Sequence, residues 1–225
     1  MKKIIIFIVL FLCIAKVNSA FAEKKPDNFV YITELIPNIQ QDIRYFGHNN
    51  FIGHPINGYK RPVCLLTREA AYALLNVQLV LNKKNLGLLV YDCYRPQRAV
   101  NEFIQWHQTT DQRMKNRFYP RIDKSQLFKR NYIAPRSSHT RGSTIDLTIL
   151  DLETLQTVDM GTPFDYLDSL SHPNNRNITK AAFQNRMMLR TLMIQFGFRP
   201  LKTEWWHFTL RNEPYKNTYF NFLVE

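Results

Sequence analysis

The stretch Ser137-Ser138-His139-Thr140-Arg141-Gly142-Ser143-Thr144-Ile145-Asp146-Leu147-Thr148-Ile149 decides how the rest of the chain is read. From Thr144 to Ile149 apolar and polar residues alternate. Ile145, Leu147 and Ile149 point one way, and Thr144, Asp146 and Thr148 the other, which is the period of a half-buried strand. A second alternation runs from Thr203 to Leu210. It puts Trp206, Phe208 and Leu210 on one face and Trp205, His207 and Thr209 on the other. If both strands lie in one sheet, Asp146 and His207 share its open face. His139 is an odd number of residues from Asp146, so a straight strand would put it on the wrong side. Gly142 removes that objection, because glycine takes backbone angles that let the chain turn back over Asp146. Glu204 has the same parity problem relative to His207. It follows Pro200–Thr203 and is expected where loop becomes strand, with its carboxylate reaching over a metal instead of ligating it.

Two histidines, an aspartate and a nearby glutamate suit catalytic zinc. Three protein ligands leave a fourth position for water, zinc lowers the pKa of that water to about 7, and a neighbouring carboxylate can carry its proton to a leaving amine. Two histidines and two acids also arise by chance in many chains of this size, so spacing alone leaves both readings open. Arg95 follows the apolar run Leu88-Leu89-Val90-Tyr91 and the segment Asp92-Cys93-Tyr94. A position just past a buried strand suits an oxyanion or carboxylate binder; a purely structural pair with Asp92 is the alternative.

Outward from these stretches, Asn28 to Leu35 has a strand-like pattern. A Gly-, Asn- and Pro-rich loop region then runs to Pro62 and carries His48 and His54, which read as solvent-exposed. Thr67 is a good N-cap for a buried helix over 68–83. Pro96 ends the strand that starts near Leu88, and a helix over 97–108 follows, with His107 on its surface or half-buried. Residues 109–136 are polar, basic and irregular, a surface loop or a segment over the site. Thr179 begins a long helix to about Phe196, stopped by Gly197.

The 225 residues hold one sizeable domain. Residues 23–225 show no repeat, linker or change of composition. An apolar fraction of 45% and 13% aromatics indicate a packed core and exclude a disordered chain. Residues 1–22 read as a cleaved secretory leader: Lys2-Lys3, an apolar run from Ile4 to Ala15, then Ala20-Phe21-Ala22. Twelve helical residues span about 18 Å, short of the roughly 30 Å of a bilayer core, so no stable membrane insertion is expected after cleavage. The formal charge is +12, and it falls to +9 when Lys2, Lys3 and Lys16 leave with the leader. The remaining bases are scattered, which suits an anionic envelope and argues against nucleic acid as a partner. The mature chain keeps Cys64 and Cys93. In an oxidising compartment they form a disulfide; two buried thiols are the alternative.

Ser-x-His-x-x-Gly-x-x-x-Asp (137–146) followed by Glu-x-Trp-His (204–207) resembles the zinc D-alanyl-D-alanine dipeptidase family. The likeness extends to Tyr91-Asp92-Cys93-Tyr94-Arg95-Pro96, to Asp159-Met160-Gly161-Thr162-Pro163-Phe164-Asp165 and to Glu213-Pro214-Tyr215 through Phe220. Asn50-Phe51-Ile52-Gly53 and Asn57-Gly58-Tyr59 also fit it. The Ser-x-His motif alone is shared with D,D-carboxypeptidases and hedgehog-type domains. The resemblance implies that His139, Asp146 and His207 bind one Zn²⁺, that Glu204 is general base and then general acid, and that Arg95 steadies the tetrahedral intermediate. Ser137 and Asp165 would hold the substrate, with Asp165 facing its ammonium. The implied fold is a single α+β domain, with an antiparallel sheet carrying the site and helices packed on it. The resistance enzymes of this type work in the cytoplasm, whereas this chain carries an export signal. Its expected role is therefore hydrolysis of wall-derived D-Ala-D-Ala in the periplasm, for recycling or nutrition. Two other functions stay open from sequence: a D,D-carboxypeptidase or endopeptidase on peptidoglycan stem peptides, and a non-catalytic zinc-stabilised envelope-binding module.

Overall fold

The computed structural model describes residues 23–225; the expected leader lies outside them. The Thr144 alternation becomes the central strand of a five-stranded sheet. In chain order, β1 (Phe29–Tyr31) leads into the short helix α1 (Ile32–Leu35), and β2 (Gln40–Gln41) follows. Next come β3 (Leu65–Thr67), α2 (Arg68–Asn82), β4 (Leu86–Asp92), α3 (Gln97–Gln108) and α4 (Lys115–Phe118). The chain closes with β5 (Thr144–Asp151), α5 (Lys180–Gln195), β6 (Phe198–Pro200) and β7 (His207–Leu210). The large sheet has the order β2-β4-β5-β7-β6, and β1 pairs with β3 in a separate ribbon.

The domain is α+β as expected, but the sheet is mixed. β4, β5, β7 and β6 are antiparallel neighbours, whereas β2 runs parallel to β4. The chain from β2 reaches β4 through β3 and α2, and a helical crossover of that length is what a parallel pair requires. Two further expectations are corrected. The strand-like stretch 28–35 extends only to Tyr31 before turning helical. The second alternating stretch is a strand only from His207. Pro200 closes β6, Leu201 N–H donates to His207 O (3.1 Å), and 201–206 form the connecting loop.

Ile145, Leu147 and Ile149 are fully buried on one face of β5, with Phe208 of β7 beside them. α2 packs on β4, and α5 on β6. α2 turns Ala70, Ala71, Leu74, Val77, Gln78 and Leu81 inward at helical spacing. Thr67 stands at its N-cap position but makes no side-chain cap. Its hydroxyl instead bonds the Ser143 hydroxyl at 2.7 Å, and its N–H donates to Gly142 O at 2.7 Å. The start of α2 is thus tied to the turn that carries His139.

Gly142 performs the expected turn. It closes a 3-10 turn over Ser138–Arg141 with φ +82°. A Cβ there would stand 2.1 Å from the Phe29 ring, so both conformation and space demand glycine.

Cys64 and Cys93 form a disulfide, with Cα atoms 5.3 Å apart and a separation of 29 residues. Cross-linking a loop of this length stabilises the fold by about 3–4 kcal/mol in the chain-entropy view. The bond anchors the segment after β4 to the residue preceding β3.

Candidate active site

Cross-strand register builds the site. Asp146 of β5 pairs with His207 of β7 on one side and with Asp92 of β4 on the other. The shared face inferred from the two alternations is therefore present. Asp92 joins it through an irregularity in β4: Val90 pairs with Leu147, Tyr91 is skipped, and Asp92 meets Asp146. A bulge of this kind re-aims the residues beyond it. Here it brings a carboxylate to the site instead of Tyr91, which stacks on Phe164 (4.6 Å).

His139 comes back over Asp146 as the glycine turn allows. Its Nδ1 lies 2.7 Å from Cys93 O. A proton donated there leaves a lone pair on Nε2. That Nε2 stands 3.2 Å from Asp146 Oδ2 and 3.2 Å from His207 Nδ1. His207 is arranged likewise, with Nε2 3.2 Å from Ser138 Oγ and Nδ1 3.1 Å from Asp146 Oδ1. Among the described residues the buried Asp146 Oδ1 accepts no well-formed hydrogen bond, although His207 Nδ1 lies close to it. One ligand-type atom from each of His139, Asp146 and His207 lies within 4.8 Å of the other two. Burial lowers the His207 pKa, against the raising effect of Asp146, which favours the neutral imidazole. Burial also pushes the Asp146 carboxyl up, but the two imidazoles, His139 first, outweigh it and hold Asp146 well below the usual carboxylate range. Two imidazole nitrogens around a carboxylate held well below its usual range fit a divalent cation of zinc's preferences.

Glu204 sits in the β6–β7 loop, with Oε2 3.7 Å from His207 Nδ1. The residue is 8% exposed. Burial first, then the charges of Asp146 and Asp165, raise its pKa well above the usual value. Its place beside the ligand set, off the strand, matches the expectation. Trp205 does not share the His207 face: its indole N–H donates to Thr162 Oγ1 at 2.9 Å, beside Phe164.

Arg95 makes the pair with Asp92 weighed from sequence and also lines the cavity. It grips Asp92 through Nε (2.9 Å) and Nη2 (2.8 Å), and that same Nη2 lies 3.7 Å from Asp146 Oδ2. Its guanidinium carbon stands 4.7 Å from the Tyr45 ring centroid and 5.2 Å from that of Phe103, a stacking that fixes its direction. Tyr59 donates to Asp92 Oδ1 at 2.7 Å. Asp165 accepts from Tyr45 at 2.9 Å. Burial and the Asp146 charge push its pKa up to about 7. Its backbone is held at φ +58°, a strained setting for a non-glycine residue of the kind that clusters at functional sites.

Arg95, Ser137, His139, Asp146, Asp165, Glu204 and His207 all line one cavity of about 310 Å³. Every side chain singled out for chemistry is thus brought together. His48, His54 and His107 lie outside it. The segment 109–136 contributes a wall, since Asn131 to Ala134 and Arg136 line the same cavity. Tyr45, Tyr59, Ser138 and the Cys93 carbonyl are contributors that sequence reading did not find. Tyr45 and Tyr59 lie in an irregular loop region with no periodicity, and a backbone carbonyl leaves no residue-type signal.

The family model described as D-Ala-D-Ala dipeptidase matches residues 25–225. A protein named D-alanyl-D-alanine dipeptidase from Enterococcus faecalis (strain ATCC 700802 / V583) is 40% identical over 199 residues, covering 88% of this chain and 98% of the relative. One of the same name from Streptomyces coelicolor is 40% identical over 198 residues, with 88% and 98% covered. A third, from Escherichia coli K12, is 31% identical over 181 residues, with 80% and 83% covered. The chain belongs to the D-Ala-D-Ala dipeptidase family, a family of metal-dependent peptidases.

Proposed function

We propose that this member of the D-Ala-D-Ala dipeptidase family is a zinc enzyme that hydrolyses D-Ala-D-Ala to two molecules of D-alanine. The observation that carries the reading is the convergence of the His139, Asp146 and His207 ligand atoms with Glu204 and Arg95 in one small cavity.

His139, Asp146 and His207 would hold the ion. When bound, zinc supplies a Lewis acid that polarises the scissile carbonyl and makes water nucleophilic near neutral pH. Glu204 takes a proton from the attacking water and passes it to the nitrogen of the departing D-alanine. One water is consumed and one C–N bond is broken. The raised proton affinity of Glu204 suits a group that must hold a proton between those two steps. Arg95, steered by Asp92 and the Tyr45 ring, faces the carbonyl oxygen as it gains charge. Asp165 receives the substrate's ammonium, and Ser137 helps seat the peptide.

Cavity size favours a dipeptide over a wall-linked stem peptide, since about 310 Å³ lies at the lower end of small-molecule sites. Purified protein loaded with zinc is expected to release D-alanine from D-Ala-D-Ala much faster than from a pentapeptide ending in D-Ala-D-Ala. Equal or greater rates on the pentapeptide would move the assignment to a D,D-carboxypeptidase. No turnover of any D,D-dipeptide would overturn it.

The proposed setting is the periplasm or cell exterior, with residues 1–22 as leader and 23–225 as the catalytic domain. The leader pattern and the Cys64–Cys93 disulfide support this, because disulfides persist in oxidising compartments. Intact-mass analysis of the exported protein should find Glu23 at the N-terminus; a retained Met1 would contradict the leader.

A further inference from the structure

We infer that Arg136 binds the C-terminal carboxylate of the dipeptide and so sets the enzyme's preference for substrates with a free acid end. The inference rests on the dipeptidase reading above and names a recognition group for it. A dipeptide is a zwitterion, and its two charged ends need partners of opposite sign. The carboxylates lining the cavity are Asp146, Asp165 and Glu204. Asp146 belongs to the ligand set, Glu204 to proton transfer and Asp165 to the ammonium end.

The carboxylate end has three arginines along the cavity to choose from, Arg95, Arg136 and Arg141. Arg95 is already committed to Asp92 through two nitrogens. Arg141 makes a bidentate pair with Glu213, both contacts at 2.8 Å. Arg136 has no carboxylate within ion-pair distance among the described residues. Its guanidinium carbon lies 5.2 Å from the Tyr219 ring centroid, and Arg141 flanks that same ring at 5.7 Å. Stacking on an aromatic ring holds the planar fork in place while leaving its N–H edge open, the arrangement in which arginine takes a carboxylate bidentately. Arg136 also directly precedes Ser137, so the residue that takes the acid end and the one that seats the peptide share a backbone.

The position on the cavity wall sets the expected kinetics. The carboxylate takes no part in the bonds made and broken and carries the same charge before and during reaction, so its contact contributes uniform binding. Arg136→Ala is expected to raise KM for D-Ala-D-Ala about tenfold while kcat changes less than about twofold, the size of one charge-assisted contact at an exposed site. Arg136→Lys should recover part of the loss. The control substrate is D-alanyl-D-alaninamide, which lacks the charge. Wild-type enzyme should process the amide with kcat/KM about tenfold below that of the acid, and Arg136→Ala should leave the amide rate unchanged. Unaltered KM for the acid in the variant would overturn the inference. So would an equal loss on acid and amide, which would mark a structural role. Wild-type protein inert on both substrates is a separate result: it would remove the dipeptidase reading and this inference with it.

Discussion

Glu204→Gln is expected to lower kcat for D-Ala-D-Ala by about 10²–10⁴-fold, the range that a positioned general acid–base supplies, with metal content and folding intact. The glutamate is buried in the β6–β7 loop beside His207 yet stands outside the ligand trio. Its substitution therefore removes proton transfer without removing a ligand. Glutamine keeps the shape and hydrogen-bonding capacity but cannot take the water's proton. Burying a neutral amide costs less than burying a carboxylate near Asp146 and Asp165, so thermal stability should hold or rise. The measurement is D-alanine release alongside elemental analysis and a melting curve. A kcat within tenfold of wild type would show that another group moves the proton, and the mechanism above would fall.

His139→Ala is expected to lose the ion itself. The imidazole supplies one of three ligand atoms, and its orientation is held by the Cys93 carbonyl. Loss of an outer-shell partner costs about 10–100-fold in metal affinity; loss of a ligand should cost more. Binding to the folded state alone stabilises it by mass action, by about 4 kcal/mol at a thousandfold excess over Kd. Added zinc should therefore raise the melting temperature of wild-type protein and leave the variant nearly unmoved. His54→Ala is the control: that histidine lies 3.5 Å from Glu102 in a loop away from the cavity and should leave zinc binding unchanged. Stoichiometric zinc in His139→Ala at wild-type affinity would remove His139 from the ligand set.

The two predictions differ in how far their residues were readable from sequence. His139, Asp146 and His207 were legible because strand alternation has a period of two and glycine has a specific conformational use. Gly142 announced a turn, and the structure holds it at φ +82° against Phe29. The helix over 97–108 was expected after Pro96, which ends the strand before it, and it forms over those residues. Arg95 was singled out from its place just past a buried strand and Glu204 from its place before His207, whereas Ser137 and Asp165 came through the family resemblance, since no periodicity points at a serine before a turn or at an aspartate in a loop.

The parallel pairing of β2 was not legible, because two residues carry no pattern. Nor was the bulge that drops Tyr91 from the ladder and turns Asp92 toward Asp146. That shift arises from pairing between strands more than fifty residues apart. The disulfide stood as one of two options for Cys64 and Cys93, and only the 5.3 Å approach of their Cα atoms decided it.

The sequence by itself determined the local grammar: which residues alternate, where the chain must turn, and which side chains have ligand chemistry. These are properties of neighbours within a few positions, where the backbone's own periods apply. The tertiary structure alone decided convergence. Asp92, Asp146 and His207 lie side by side because three strands share a register. Tyr45 reaches Asp165 across 120 positions. Among the described residues Arg136 is the lining arginine left without a carboxylate, the other two being paired with Asp92 and Glu213. Such facts depend on long-range packing, in which one group's partner is settled by every other group that competes for it.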